Sequence, residues 1–288
     1  MENKQIVIFG EVLFDQFPDG KIVLGGAPFN IAWHLQGFGI SPLFISRVGN
    51  DFEGEKIKQS MEDWGMNLSG IQTDNQHPTG IVKVEFHNNE PYYNILENSA
   101  YDFIESSYLP YISQKSILYH GSLALRNNVS RITLNNIKKN SYPQVFLDVN
   151  LRYPYWSLNL IKSLLSETLW LKLNEDELSL IVPEENNIES KIKYLFQHYS
   201  LNQITLTQGE KGAITFTSNN KNYQVSPSKK IPIIDTVGAG DAFCSVLILG
   251  ILKQWDVETT IKKAQKFASK IISIQGATKF DLSFYNEL

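Results

Sequence analysis

Gln144-Val145-Phe146-Leu147-Asp148-Val149 and Leu169-Trp170-Leu171-Lys172-Leu173 are two short, mostly apolar runs on either side of a helical pattern at 157–166. Their length suits buried strands, and the segment between them suits a crossover helix. The alternation continues in both directions. Strands are expected at 5–9, 42–48, 116–120, 203–207 and 212–217, and helices at 28–37, 52–63, 127–139, 188–198, 238–252 and 257–274. This order predicts an α/β fold, a doubly wound and mostly parallel sheet flanked by helices on both faces. Such a sheet binds ligands beyond the carboxyl ends of its strands.

Two segments depart from the rhythm. Residues 12–24 hold an extended run with the turn Pro18-Asp19-Gly20, and residues 80–96 hold two runs, 81–87 and 92–95, joined by Asn88-Asn89-Glu90. They predict a small β-sheet lid on what is otherwise a single domain over 1–288. Tyr92 and Tyr93 alternate along a lid strand, so one of them faces the cleft.

At 288 residues with 42% hydrophobic and 12% aromatic residues, the chain can bury a sizeable core. A net charge of −4 without a long basic run speaks against nucleic acid and membrane surfaces as partners. The N-terminus passes directly into the strand at 5–9, with none of the features of a signal peptide. No stretch is long and apolar enough to span a bilayer, and Cys244, the single cysteine, has no intrachain partner. A cytoplasmic protein is expected.

The chemistry concentrates in Asp235-Thr236-Val237-Gly238-Ala239-Gly240-Asp241-Ala242-Phe243. A glycine turn opens a helix there, bringing backbone N–H groups and the positive end of the helix dipole towards an anion. Asp241 follows as a base. Transfer of a phosphoryl group to an alcohol needs this pairing. The plainer alternative is an ordinary helix start with an acidic residue in its first turn.

Three further motifs stand at strand ends. Gly25-Gly26-Ala27-Pro28-Phe29-Asn30 permits close backbone approach and presents the Asn30 amide, suited to sugar hydroxyls or simply exposed at a strand–helix junction. In Lys172-Leu173-Asn174-Glu175-Asp176-Glu177, Asn174 either caps a helix or joins Glu177 in ordering Mg²⁺-bound waters. Thr207-Gln208-Gly209, with Gly212, reads by itself as a hairpin.

Together with Gly10-Glu11, Asp15, Arg47-Val48-Gly49-Asn50-Asp51 and Asp148-Val149-Asn150-Leu151-Arg152, these motifs resemble the ribokinase-like carbohydrate kinases, most of all their fructokinase branch, over nearly the whole chain. The resemblance implies ATP with Mg²⁺ as donor and a homodimer through the lid. It gives Asp241 as base, with Gly238, Ala239 and Gly240 as the anion hole. Asp15, Gly25, Gly26, Asn30 and Arg152 fall on the sugar side, and Asn174, Glu177, Thr207, Gly209 and Gly212 on the nucleotide side. Glu177 would reach Mg²⁺ through water. Asp235, Val237 and Gly276 lie where many members place a monovalent cation such as K⁺. Gln208 departs from the family's usual apolar residue.

Fructose is the expected acceptor; ribose, 2-keto-3-deoxygluconate and nucleosides are alternatives. Relatives that use the keto-deoxy acid resemble one another in carrying an arginine where Leu96 stands. A sugar-binding regulator without turnover is the alternative from another class. A P-loop is absent, and Gly37-Phe38-Gly39 lacks the setting of a dinucleotide fingerprint. The five histidines show no ligand spacing; His34 is expected to be a helix residue, packed or exposed, and Cys244 inert core.

Overall fold

The computed structural model describes residues 4–87, 90–227 and 232–286, with the side chains of 86–92 outside the description. The expected turn at Asn88-Asn89-Glu90 and the Tyr92 side chain fall in these gaps. In chain order the strands are β1 Gln5–Phe9, β2 Leu13–Gln16, β3 Ile22–Gly25, β4 Leu43–Gly49, β5 Ile71–Asp74, β6 Gly80–His87, β7 Glu90–Ile95, β8 Ser116–His120, β9 Gln144–Asp148, β10 Trp170–Asn174, β11 Gln203–Thr207, β12 Ala213–Thr217 and β13 Asn222–Val225. The α-helices are α1 Ala27–Gly37, α2 Phe52–Asp63, α3 Asn128–Ser141, α4 Leu158–Leu165, α5 Glu175–Ile181, α6 Ile188–His198, α7 Ala239–Lys253 and α8 Val257–Ile271.

Nine strands form one sheet in the order β13-β12-β11-β10-β9-β8-β1-β4-β5. It is parallel from β11 across to β5, while β12 and β13 pair antiparallel at one edge. From β1 the chain winds one way to β4 and β5, then returns to β8 and winds the other way. The winding reverses between β1 and β8, and sheets of this kind bind ligands beyond the strand ends at such a switch point.

One face is covered by α1, α2, α7 and α8 through residues such as Phe29, Phe44, Phe243 and Phe267. The other is covered by α3 to α6 through Leu134, Ile161, Leu178 and Leu195. Helix α7 is buried from Ala242 to Gly250, which is why its sequence is apolar all round rather than striped. A second sheet, ordered β3-β2-β6-β7, lies apart from the first.

The elements depart from expectation mainly where they are short or polar. β5 (Ile-Gln-Thr-Asp) and β13 (Asn-Tyr-Gln-Val) are four-residue strands with too few apolar residues to show a period. α5 spans seven residues, too short to show a period, and is held by its cap together with Leu178 and Ile181. α8 stops at Ile271 instead of continuing to 274; there Ser273 Oγ donates to the Lys270 carbonyl at 2.7 Å. Among the described residues no helix is long and apolar enough to cross a membrane.

Candidate active site

Asp241 stands in the first turn of α7, whose N-cap is Gly238 at φ 77°. Glycine adopts this left-handed turn freely, and a Cβ at Gly238 would lie 2.4 Å from Ala277 Cβ. The Ala239 N–H donates to Thr236 O at 3.3 Å. The N–H groups of Gly240 and Asp241, at the helix start, have no intrahelical acceptor. They form an anion cradle at the positive end of the dipole.

Helix α1 faces this turn. Its N-cap, Gly26, has φ 107°, and a Cβ there would press 2.8 Å from the Glu11 carbonyl oxygen. The tight turn aims Asn30 at the base, and Asn30 Nδ2 donates to Asp241 Oδ2 at 2.7 Å. One of the two Asn30 amide N–H donors is thus engaged by Asp241, and the second is left over. Burial pushes the Asp241 carboxyl up to about 6; the Asn30 hydrogen bond opposes this, Asp148 adds to it, and Lys172 and Arg152 oppose it.

Behind the cradle, Lys172 Nζ donates to both oxygens of Asp148, at 2.9 and 2.8 Å. A Cβ on Gly240 would lie 3.7 Å from that ammonium. Burial works against the Lys172 charge and Asp148 for it, and the balance raises its pKa. Removing one member of so buried a pair strands the other. Sequence reading left Lys172 and Asp148 without a role. A lone lysine in an otherwise apolar strand, with an aspartate ending the preceding strand, was the available signal.

On the other side of Asp241, Asp15 of β2 is pushed up to about 6 by burial, against the pull of Arg152. Arg152 lies exposed beyond the carboxyl end of β9, its Nη1 donating to Leu151 O at 3.2 Å. Gly25 backs onto Asp15, with 3.4 Å between a Cβ there and Asp15 Oδ2. Tyr93 shares a face of the second sheet with Asp15 through the pairs Val84↔Tyr93 and Asp15↔Val82. Its pKa is raised by burial first, then by Asp15 and Asp235. Tyr93 is thus a tyrosine turned to the cleft.

At the β10–α5 junction, Asn174 Oδ1 accepts from Glu177 N at 2.8 Å while Glu177 Oε2 accepts from Asn174 N at 2.9 Å. This reciprocal capping box satisfies two helix-end donors. Glu177 Oε1 also accepts from Leu151 N at 2.9 Å, tying the Arg152 loop to α5. Burial raises the Glu177 pKa, with Asp148 adding to it and Lys172 opposing.

Thr207, Gly209 and Gly212 sit at the β11–β12 turn. Gly212 has no room for a side chain, since a Cβ would come 2.0 Å from Val225 O, whereas Gly209 is open and exposed. Gln208 Nε2 donates to Glu175 Oε1 at 2.8 Å, so its amide braces α5. Asp235 gathers its partners: Oδ1 accepts from Val237 N and Oδ2 from Gly276 N, each at 3.0 Å. His34 is fully buried against Tyr285 and Phe267, and burial holds its pKa down at about 3. Cys244 is buried in the core of α7.

A helix-start anion cradle with a half-buried carboxyl at its rim, on a doubly wound fold, suits phosphoryl transfer. A family model described as pfkB family carbohydrate kinase matches residues 5–283, and the chain belongs to that family. Fructokinase-2 of Oryza sativa subsp. japonica is 27% identical over 93% of this chain and 87% of its own length. An uncharacterized sugar kinase from Pyrococcus horikoshii has a crystal structure matching at a TM-score of 0.82 and 26% identity, covering 95% of this chain and 93% of that one. The crystal structure of fructokinase from Vibrio cholerae O395, in fructose, ADP and calcium ion bound form, matches at a TM-score of 0.82 and 26% identity, covering 96% and 94%.

Proposed function

We propose that this sugar kinase is a fructokinase, moving the γ-phosphate of ATP to a hydroxyl of fructose with Asp241 as general base. The observation that carries the role of Asp241 is its place in the first turn of α7, hydrogen-bonded by Asn30 at 2.7 Å beside the Gly238–Gly240 cradle. The Asp241 carboxylate takes the hydroxyl proton as the sugar oxygen bonds to the γ-phosphorus. The bond from that phosphorus to the β-phosphate oxygen breaks, and ADP leaves. Gly240 and Asp241 N–H groups meet the charge on the transferring group, with the Lys172 ammonium behind them.

Fructose is favoured by the fructokinases among the relatives and by the fructose-bound Vibrio cholerae structure. Asp15, Gly25, Gly26, Asn30 and Arg152 line its side of the cleft in this reading. Thr207, Gly209, Gly212 and the Asn174–Glu177 corner line the nucleotide side. Among the described residues no group of three His, Cys, Asp or Glu side chains could hold a metal. That fits Mg²⁺ held on nucleotide phosphates through water, with Glu177 as an outer partner, where it would neutralise phosphate charge. The Asp235–Val237–Gly276 cluster fits a monovalent cation, and a double-mutant Vibrio cholerae fructokinase was solved in fructose, ADP and potassium ion bound form.

The test is ADP release with fructose, ribose, glucose, 2-keto-3-deoxygluconate and adenosine. Fructose is expected to give the highest kcat/KM. Faster turnover of another acceptor would replace the substrate, and sugar binding without ADP release from any of them would remove the kinase reading.

We also propose the second sheet as the lid of a single kinase domain and as the face of a homodimer. Ile22 on it is 46% exposed, and among the described residues its edge strands β3 and β7 have no strand on their outer sides. Sedimentation at micromolar concentration should give twice the 32.8 kDa chain mass. A monomer would dismiss the dimer.

A further inference from the structure

Three buried polar atoms beside Asp241 have no hydrogen-bond partner within the protein: Glu11 Oε2, Asn30 Oδ1 and Tyr119 Oη. Their residues are 3%, 5% and 0% exposed. They come from the elements that meet at the switch point. Glu11 follows β1, Tyr119 lies in β8 paired with Ile8 of β1, and Asn30 belongs to α1. Backbone and side-chain contacts link the Glu11 and Asn30 segments to the base. The Glu11 carbonyl backs onto Gly26, the Gly26 carbonyl accepts from Asn30 N at 2.8 Å, and Asn30 Nδ2 donates to Asp241.

Leaving a buried polar group unsatisfied costs free energy, so each of the three calls for a partner. Two of the atoms accept and the tyrosine hydroxyl donates. A single buried water, which makes two to four hydrogen bonds, matches that set: it donates to Glu11 and Asn30 and accepts from Tyr119.

We propose that Glu11 is a positioning residue for phosphoryl transfer, coupled to Asp241 through a buried water held by Tyr119 and Asn30, and that it shares the proton Asp241 takes from the substrate. The inference rests on Asp241 as base. The hydroxyl proton passes to Asp241, which then donates to the same water as its fourth hydrogen bond; the water takes that proton up while releasing one to the Glu11 carboxylate. After product leaves, the proton returns through the water to Asp241, which is only half-buried, and from there to solvent. No atom is gained or lost in the relay.

The groups acting on Glu11 come from every side. Arg152, beyond β9, and Arg126, in the turn before α3, favour its charge, while Asp241 of α7 and burial oppose it. Tyr119 of β8 and Tyr101, before α3, feel the Glu11 charge in turn. Asp148 and Lys172 act on Asp241 from β9 and β10. Burial is the largest influence and pushes Glu11 up to about 7, close to the value of about 6 for Asp241. Two such carboxyls titrate as a pair.

The experiment is the pH profile of kcat/KM for the best acceptor, in wild type, Glu11→Gln, Tyr119→Phe and Asp241→Asn, with thermal melts to confirm folding. In the wild type the acid limb is expected to fall more steeply than one proton allows. Glu11→Gln should leave a single titration, lower by about half a pH unit or more, because a negative neighbour is gone. Tyr119→Phe should move the limb upward, because a donor to the carboxylates is lost. Wild-type limbs in both variants overturn the coupling, and if Glu11→Gln does not fold, an unmoved limb in Tyr119→Phe does so alone. Asp241→Asn reports separately: turnover in that variant removes the base itself.

Discussion

Asp241→Asn is expected to lower kcat by about 10²–10⁴, or roughly 3–5 kcal/mol of barrier, while the KM for ATP stays within a few-fold. The substitution is isosteric, and the new amide oxygen can still accept from Asn30 Nδ2, which lies 2.7 Å from Asp241 Oδ2. Only the capacity to take a proton is lost. Activity of the native enzyme must also rise with pH through the Asp241 value of about 6, because the carboxyl is a base only when ionised. Burial places that value above the ordinary carboxylate range, and the sign follows: acid protonates the base and stops turnover. Stopped-flow or coupled-assay kinetics from pH 5 to 8 check both statements. A variant that turns over at the native rate, or a native profile flat across pH 6, would take Asp241 out of the mechanism.

Gly238→Ala is expected to damage both stability and turnover. At φ 77° a non-glycine residue is strained by about 1–2 kcal/mol. The added Cβ would also sit 2.4 Å from Ala277 Cβ and 2.6 Å from Ala277 Cα, which is too close for any rotamer change to relieve. The start of α7 must shift. A displaced cradle should cost about 10²–10³ in kcat, the size seen when one oxyanion donor is lost. Adding Ala277→Gly removes the Cβ contact but leaves the 2.6 Å approach to the backbone Cα and the φ strain, so the double variant should recover only a small part of the melting temperature. Native kcat and native melting temperature in Gly238→Ala would show that neither the turn nor the contact matters.

Much of the fold was legible because parallel strands buried on both faces are written as short apolar runs, and 5–9, 116–120 and 203–207 matched the observed strands to the residue. β5, β13 and α5 were not, since four polar-rich residues or a seven-residue capped turn carry no period. In the site, the cradle glycines and Asp241 are neighbours in sequence, so their proximity could be read directly. Asn30 and Asp241 are 211 residues apart, and nothing local says that the amide also holds the carboxylate. The role of Glu11 was equally hidden, because its burial and lack of a partner are properties of packing.

The sequence by itself determined the alternation of strands and helices, a glycine turn opening a helix at Gly238 and the place of a carboxylate one residue after Gly240. These are set by backbone sterics and local apolar period, which act within a few residues. Only the tertiary structure decided which groups surround that carboxylate: Asn30 in front, the Asp148–Lys172 pair behind and Glu11 to the side. Desolvation and Coulomb interactions act through space, so the strength of the base is fixed by segments that meet only when the sheet closes around its switch point.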